Sequence, residues 1–188
     1  VTRADAPYLR CRRIIAFTGP IGAGKSTAAR HLVEAHGFAR VRFAGPLKAM
    51  LAALGLTPDE IEGRRKECPS GLLCGKTPRW AMQTLGTEWG RDLIGPDLWV
   101  RAWKAALPAG DVTVDDCRFP NENVAIDAEG GIVVRIERRV AAVAAAHVSE
   151  SNQRLLPASY TIINDGTVHD LHRRLDAMIA QYQELRAA

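Results

Sequence analysis

Residues 19–27, Gly19-Pro20-Ile21-Gly22-Ala23-Gly24-Lys25-Ser26-Thr27, match G-x-x-x-x-G-K-[ST] at every fixed position. Each fixed position has chemistry to do. Gly19, Gly22 and Gly24 let the loop's backbone N–H groups, those of Ala23 and Thr27 included, curl around the phosphates of a nucleotide. Lys25 adds a point charge for the β/γ oxygens, and the Ser26 hydroxyl can ligate Mg²⁺. The flanks agree: the apolar run Ile14-Ile15-Ala16-Phe17 precedes the loop and a helical stretch over 26–36 follows it. A strand feeding a glycine turn that opens a helix aims the helix N-terminus at an anion. A nucleoside triphosphate is the expected ligand.

A second group of polar residues stands at Val112-Thr113-Val114-Asp115-Asp116-Cys117-Arg118. An acid at the end of a strand beside a phosphate loop can hold Mg²⁺ or orient an attacking oxygen. Arg118 can bind phosphoryl oxygens in bidentate fashion. Which of Asp115 and Asp116 faces the site depends on strand register, and the D-x-R spacing selects Asp116. A third group lies on the predicted helix from Pro78 to Ile94. There Met82, Leu85 and Trp89 are expected to pack inward, while Arg79, Gln83, Thr87 and Arg91 form a polar strip at intervals of four. Gln83 could read a base edge and Arg91 hold a phosphate. A solvated amphipathic face explains the same strip. Arg42 and Lys48 could meet an acceptor phosphate. Arg135, Arg138 and Arg139 cluster at the end of a later strand, as either a surface basic patch or part of a lid over the triphosphate.

The elements that must position these residues alternate along the chain. Strands are expected at 14–17, 39–44, 111–115, 132–136 and 160–163. Helices are expected at 27–36, 46–54, 78–94, 97–107, 121–129, 140–147 and from 168 onward, with a charged loop over 62–75. Such alternation predicts a parallel sheet covered by helices, an α/β fold of the P-loop NTPase type. A single domain over 13–188 is expected, with a helical substrate-binding insertion at about 56–108 and a lid at about 137–157. The 188 residues suffice for a sizeable core, and the net charge of +4 suits phosphate-rich small molecules. Without an arginine stripe, nucleic-acid binding is not expected. No apolar run reaches membrane-spanning length, and Val1–Arg13 lacks the pattern of a signal peptide. The four cysteines form no C-x-x-C pair, which fits reduced thiols and a cytoplasmic protein. His147, Ser149 and Glu150 lack a nucleophile turn and make no hydrolase triad.

Taken together, the phosphate loop, Phe43-Ala44-x-Pro46-Leu47-Lys48, Leu85-Gly86-Thr87-Glu88-x-Gly90-Arg91 and Asp116-x-Arg118-Phe119-Pro120-Asn121-Glu122 define a pattern. Gly130-Gly131, His147-x-Ser149-Glu150 and Asn164-Asp165-Gly166-Thr167 extend it. The chain resembles the phage-type deoxynucleoside monophosphate kinases, relatives of adenylate and dephospho-coenzyme A kinases, from about Ile14 to the last helix. The resemblance implies transfer of the ATP γ-phosphoryl group to a deoxynucleoside monophosphate with Mg²⁺. It implies ATP on Lys25 and the loop amides, Mg²⁺ on Ser26 and Asp116, and charge neutralisation by Arg118 with Arg138 or Arg139. Gln83, Thr87 and Arg91, with Arg42 and Lys48, would seat the acceptor. Small-molecule nucleotides are then the partners, and a homodimer is compatible. Other acceptors remain open at this level: dephospho-coenzyme A, a modified nucleotide or a base within DNA. So does a P-loop NTPase that is not a kinase, although the N-K-x-D guanine motif is absent and the D-x-x-G strings at 92–95 and 127–130 end no predicted strand.

Overall fold

The computed structural model describes residues 12–138 and 156–187. Five strands form one parallel sheet: β1 (Ile14–Thr18), β2 (Ala39–Arg40), β3 (Val112–Val114), β4 (Ile132–Glu137) and β5 (Tyr160–Ile163), in the order β2-β3-β1-β4-β5. The helices are α1 (Lys25–His36), α2 (Gly45–Ala53), α3 (Pro58–Ile61), α4 (Pro78–Thr84), α5 (Leu98–Ala105), α6 (Pro120–Ala128) and α7 (Val168–Ala187). This is the expected α/β P-loop architecture.

Strand periodicity explains the layers. Successive side chains point to opposite faces of the sheet. Ile15 and Phe17 of β1, with Val134 and Ile136 of β4, bury against Ala28, Ala29 and Leu32 of α1 and Leu171, Leu175 and Ile179 of α7. Ile14 and Ala16 face the other way, with Val112, Val114 and Val133, onto Trp103 of α5 and Ala125 and Ile126 of α6. The near-continuous apolar runs of β1 and β4 are what a doubly covered parallel sheet requires. Between β2 and β3, Leu51, Leu56, Ile61 and Ala81 form a separate apolar cluster, joined by Leu73, Met82 and Leu85. The segment between those strands therefore has its own small core.

Three sequence expectations change. The strand expected over 39–44 stops at Arg40, because the N–H groups of Phe43 and Ala44 leave the ladder and donate to the Asp116 carboxylate at 3.1 and 2.9 Å. The loop over 62–75 contains two 3₁₀ turns, Arg64–Glu67 and Gly71–Leu73. The single helix expected over 78–94 is α4 followed by a π-helical segment, Leu85–Ile94. Trp99 of α5 lies against this segment. A Cβ at Gly90 would stand 2.5 Å from Trp99 Cζ2, and the Trp99 indole N–H donates to the Gly86 carbonyl at 2.8 Å. Gly90 thus admits a bulky ring against the backbone where the helix is wide. Wide turns of this kind concentrate at functional sites. The change of winding also corrects Trp89, which turns to the surface instead of inward. The helix expected over 140–147 lies outside the described residues.

Candidate active site

The phosphate loop connects β1 to α1 at the carboxyl edge of the sheet, where ligands of open α/β folds bind. Gly24 caps α1 with φ 109°, a left-handed conformation, and no side chain occupies the cap. The first N–H groups of α1 therefore point out of the loop as an anion site. Lys25 Nζ donates to the carbonyls of Gly19 at 2.6 Å and Pro20 at 2.8 Å, which places the ammonium across the loop.

Asn164, buried after β5, holds the loop from behind: its Nδ2 donates to the Ala23 carbonyl at 2.7 Å. A Cβ at Gly24 would lie 2.6 Å from the same nitrogen, so loop and asparagine are fitted to each other. Asn164→Ala would leave a buried carbonyl without its donor. The expected loss is about 1–3 kcal/mol of stability, together with weaker nucleotide binding. Urea denaturation checks this, and an unchanged midpoint would show that the bond contributes nothing.

At the end of β3 the two acids have different partners. Asp115 is the one that meets the phosphate loop: Ser26 Oγ donates to its Oδ2 at 2.7 Å. Arg40 also binds it, with Nε donating to Oδ1 at 3.0 Å and Nη2 to Oδ2, and Arg42 Nε stands 3.5 Å away. Burial pushes the Asp115 carboxyl up, but the Arg40 and Ser26 hydrogen bonds and the two arginine charges outweigh it and hold it below the ordinary carboxylate value. Asp116, which the D-x-R spacing selects as the acid facing the site, does not meet Ser26: it lines the neighbouring cleft and accepts the N–H groups of Phe43 and Ala44. Burial, assisted by the neighbouring Asp115 charge, raises its carboxyl. Asp116 thus anchors the turn into α2, and the strand register gives the Ser26 side to Asp115. Two oxygen donors, the Ser26 hydroxyl and an ionised carboxylate, side by side at the phosphate loop fit a hard cation such as Mg²⁺.

Beyond β3 an open cleft separates the sheet edge from the helical segment between β2 and β3. Lys48, Lys66, Arg79, Gln83, Thr87, Arg91, Asp116, Arg118 and Glu122 line it with Phe43, Leu47, Met82, Trp99 and Phe119. Of the residues expected to seat an acceptor, Lys48, Gln83, Thr87 and Arg91 come together here. Arg42 does not: it turns to Asp115 and to Glu62, at 2.5 Å. Lys48 is steadied by the same Glu62, at 2.9 Å.

Arg91 is the most firmly held cation of the cleft. Its Nη2 donates to Glu122 Oε1 at 2.6 Å, and its guanidinium lies 3.8 Å over the Phe119 ring. Glu122 is 2% exposed and also accepts the N–H groups of Arg118 at 2.7 Å and Phe119 at 3.1 Å. Burial pushes its carboxyl up to about 7, against the pull of these donors. One buried glutamate therefore fixes both the Arg91 head group and the turn that presents Arg118.

Glu122, Asn164 and Arg40 were not singled out from sequence as site residues, and Asp115 was named only as the alternative to Asp116. Glu122 carried a signal: it stands three residues after Phe119, before a helix that opens with Pro120, the place from which a glutamate reaches back to cap. Among the expected lid arginines, Arg135 extends from β4 to the Leu156 carbonyl. Arg138 is exposed at the end of that strand. Arg139 and most of the lid expected over 137–157 lie outside the described residues.

Comparison with known proteins bears on the family and the fold. No family model matches the chain. It is 31% identical over 180 residues to a protein of Acanthamoeba polyphaga mimivirus named as a candidate deoxynucleotide monophosphate kinase, covering 86% of this chain and 93% of that protein. The chain belongs to the same family, a branch of the P-loop kinases. Among solved structures it resembles the shikimate kinase of Acinetobacter baumannii, with TM-score 0.51, 19% identity and coverage of 93% and 96% of the two chains. It also resembles TT1252 of Thermus thermophilus, with TM-score 0.50, 18% identity and coverage of 92% and 98%. These two likenesses support the fold.

Proposed function

We propose that this P-loop kinase transfers the γ-phosphoryl group of ATP to a deoxynucleoside 5′-monophosphate, yielding ADP and the deoxynucleoside diphosphate. The observation that carries the reading is the cleft beside the phosphate loop, which Lys48, Arg79, Arg91 and Arg118 line together with Gln83 and a set of apolar side chains. Cations suit a phosphate monoester. Phe43, Met82, Trp99 and Phe119 suit a flat base, and an amide can pair with a base edge. The name of the mimivirus relative points to the same acceptor class.

In this reading the loop amides and Lys25 bind the β- and γ-phosphates of ATP. Ser26 and Asp115 would hold Mg²⁺, which supplies charge neutralisation when bound. Arg91 binds the acceptor phosphate, and Arg118 meets the phosphoryl group in transfer. A nucleotide phosphate is already ionised near neutral pH, so its oxygen attacks the γ-phosphorus without a strong general base. The bond to the β-bridging oxygen breaks, and ADP leaves with the electron pair. The residues' contribution is positioning and charge stabilisation. Arg118→Ala is expected to lower kcat on the order of 10²-fold with a smaller change in the KM for ATP, as for loss of one oriented donor to developing charge. Steady-state kinetics check it, and a kcat near wild type would remove Arg118 from the transfer step.

The acceptor is tested by ADP formation from Mg-ATP across deoxy- and ribonucleoside monophosphates, with dephospho-coenzyme A and a no-acceptor control. Turnover that depends on one or more deoxynucleoside monophosphates is the expected result. Turnover only with dephospho-coenzyme A, or ADP release indifferent to acceptors, would overturn the assignment.

A further inference from the structure

Three of the chain's five histidines gather where α1 meets α7, on the flank of the sheet away from the helical segment that forms the cleft. His31 Nε2 stands 2.6 Å and His36 Nε2 2.8 Å from the same oxygen, Oδ1 of Asp176. The donor atoms of the three residues all lie within 4.8 Å of one another. The His172 ring stacks on His31 with centroids 4.0 Å apart and planes 14° from parallel, which fixes the orientation of the His31 ring. His31 is largely shielded, while Asp176 is half exposed, so one side of the group faces solvent.

We propose that His31, His36 and Asp176 form a binding site for one divalent transition-metal ion of the zinc type. Two imidazole nitrogens and one carboxylate oxygen are the donor set such ions select, and solvent can supply the fourth position of a tetrahedron. Ligation through Nε2 takes the imidazole form that keeps its proton on Nδ1 and turns the Nε2 lone pair to the ion. The three donors need separate only slightly, by side-chain rotation, for an ion to enter between them. This site is distinct from the Ser26–Asp115 pair. Helix rise places His36 about 16 Å from Lys25 along α1, at the end away from the phosphates. Hard Mg²⁺ prefers the all-oxygen pair, and the imidazole site prefers a borderline ion. The bound ion would clamp α1, which starts at the phosphate loop, to α7, which follows the Asn164 brace.

The test is titration of the chelator-treated, full-length protein with Co²⁺ in excess Mg²⁺, followed by absorption and calorimetry. The expected result is one equivalent with the visible bands of tetrahedral nitrogen/oxygen ligation and no thiolate charge-transfer band. Affinity should fall at least about tenfold in His36→Ala and in Asp176→Asn, with far-UV circular dichroism unchanged, and should persist in the Cys68→Ser/Cys74→Ser double variant. A thiolate band, binding lost in the cysteine variant, binding unaltered in both His36→Ala and Asp176→Asn, or no stoichiometric binding would overturn the proposal. In the last case the three side chains are a hydrogen-bonded staple between two helices. Should one variant fail to fold, the other and the cysteine variant still decide.

Discussion

Lys25→Ala is expected to reduce kcat/KM for ATP-dependent transfer on the order of 10²–10³-fold, the effect of losing one preorganised charge at developing phosphoryl charge. The expectation rests on position. The ammonium already lies over the loop on the Gly19 and Pro20 carbonyls, at 2.6 and 2.8 Å, so little rearrangement is needed to reach a phosphate bound by the α1 N-terminus. The fold should survive, because Lys25 opens α1 at its solvent-facing end and contributes to neither sheet core. Lys25→Arg should recover little, since a planar fork does not replace a compact point charge in a loop this tight. Steady-state kinetics with circular dichroism as the folding control check the pair. A loss below tenfold would mean that the backbone amides alone carry the phosphates.

The second large effect concerns Glu122 and pH. Its carboxyl is pushed from the ordinary 4.5 up to about 7 by burial. A carboxyl raised in the folded state binds its proton more tightly there than in the unfolded chain. It therefore adds stability that is fully present below about 4.5 and is lost as pH rises through about 7. A displacement of that size corresponds to about 3 kcal/mol. Between pH 5 and pH 8 the wild-type protein should lose most of this component, and Glu122→Gln should lack it. Urea denaturation at intervals across that range measures the difference between the two slopes. Parallel profiles would show that the three donors around Glu122 keep it ionised throughout. The same titration bears on the cleft, because the ionised form is what holds Arg91 against Phe119 by charge.

The parts of the fold that were legible in sequence are those with strong local determinants. The glycine pattern at 19–24 and the apolar run before it specify a strand, a turn and a helix in a fixed relation. β4 and the last helix were equally plain from β-branched runs and from the turn at Asn164-Asp165-Gly166. The strand at 39–44 was not, because its end is decided by Asp116, more than seventy residues away in sequence, which captures two of its N–H groups. The π-helical segment was hidden for a similar reason: Trp99, whose ring packs on Gly90 and whose indole N–H reaches the Gly86 carbonyl, sits on another helix. Asp115 and Asp116 show the same limit at the site. Composition and spacing put an acid beside the phosphate loop, and only the register of β3 assigns one to Ser26 and the other to the turn before α2. Lys48, Gln83, Thr87 and Arg91 did converge on one cleft, whereas Arg42 was drawn away by Asp115 and Glu62.

The most direct test of the whole account follows the phosphoryl group itself. ATP labelled at the γ-phosphate is incubated with Mg²⁺, the protein and the best deoxynucleoside monophosphate of the acceptor panel, and the labelled products are separated. Label is expected in the deoxynucleoside diphosphate, in a one-to-one ratio with ADP, and should disappear in Lys25→Ala. Label recovered only as inorganic phosphate, at a rate the acceptor does not change, would contradict transfer to the acceptor.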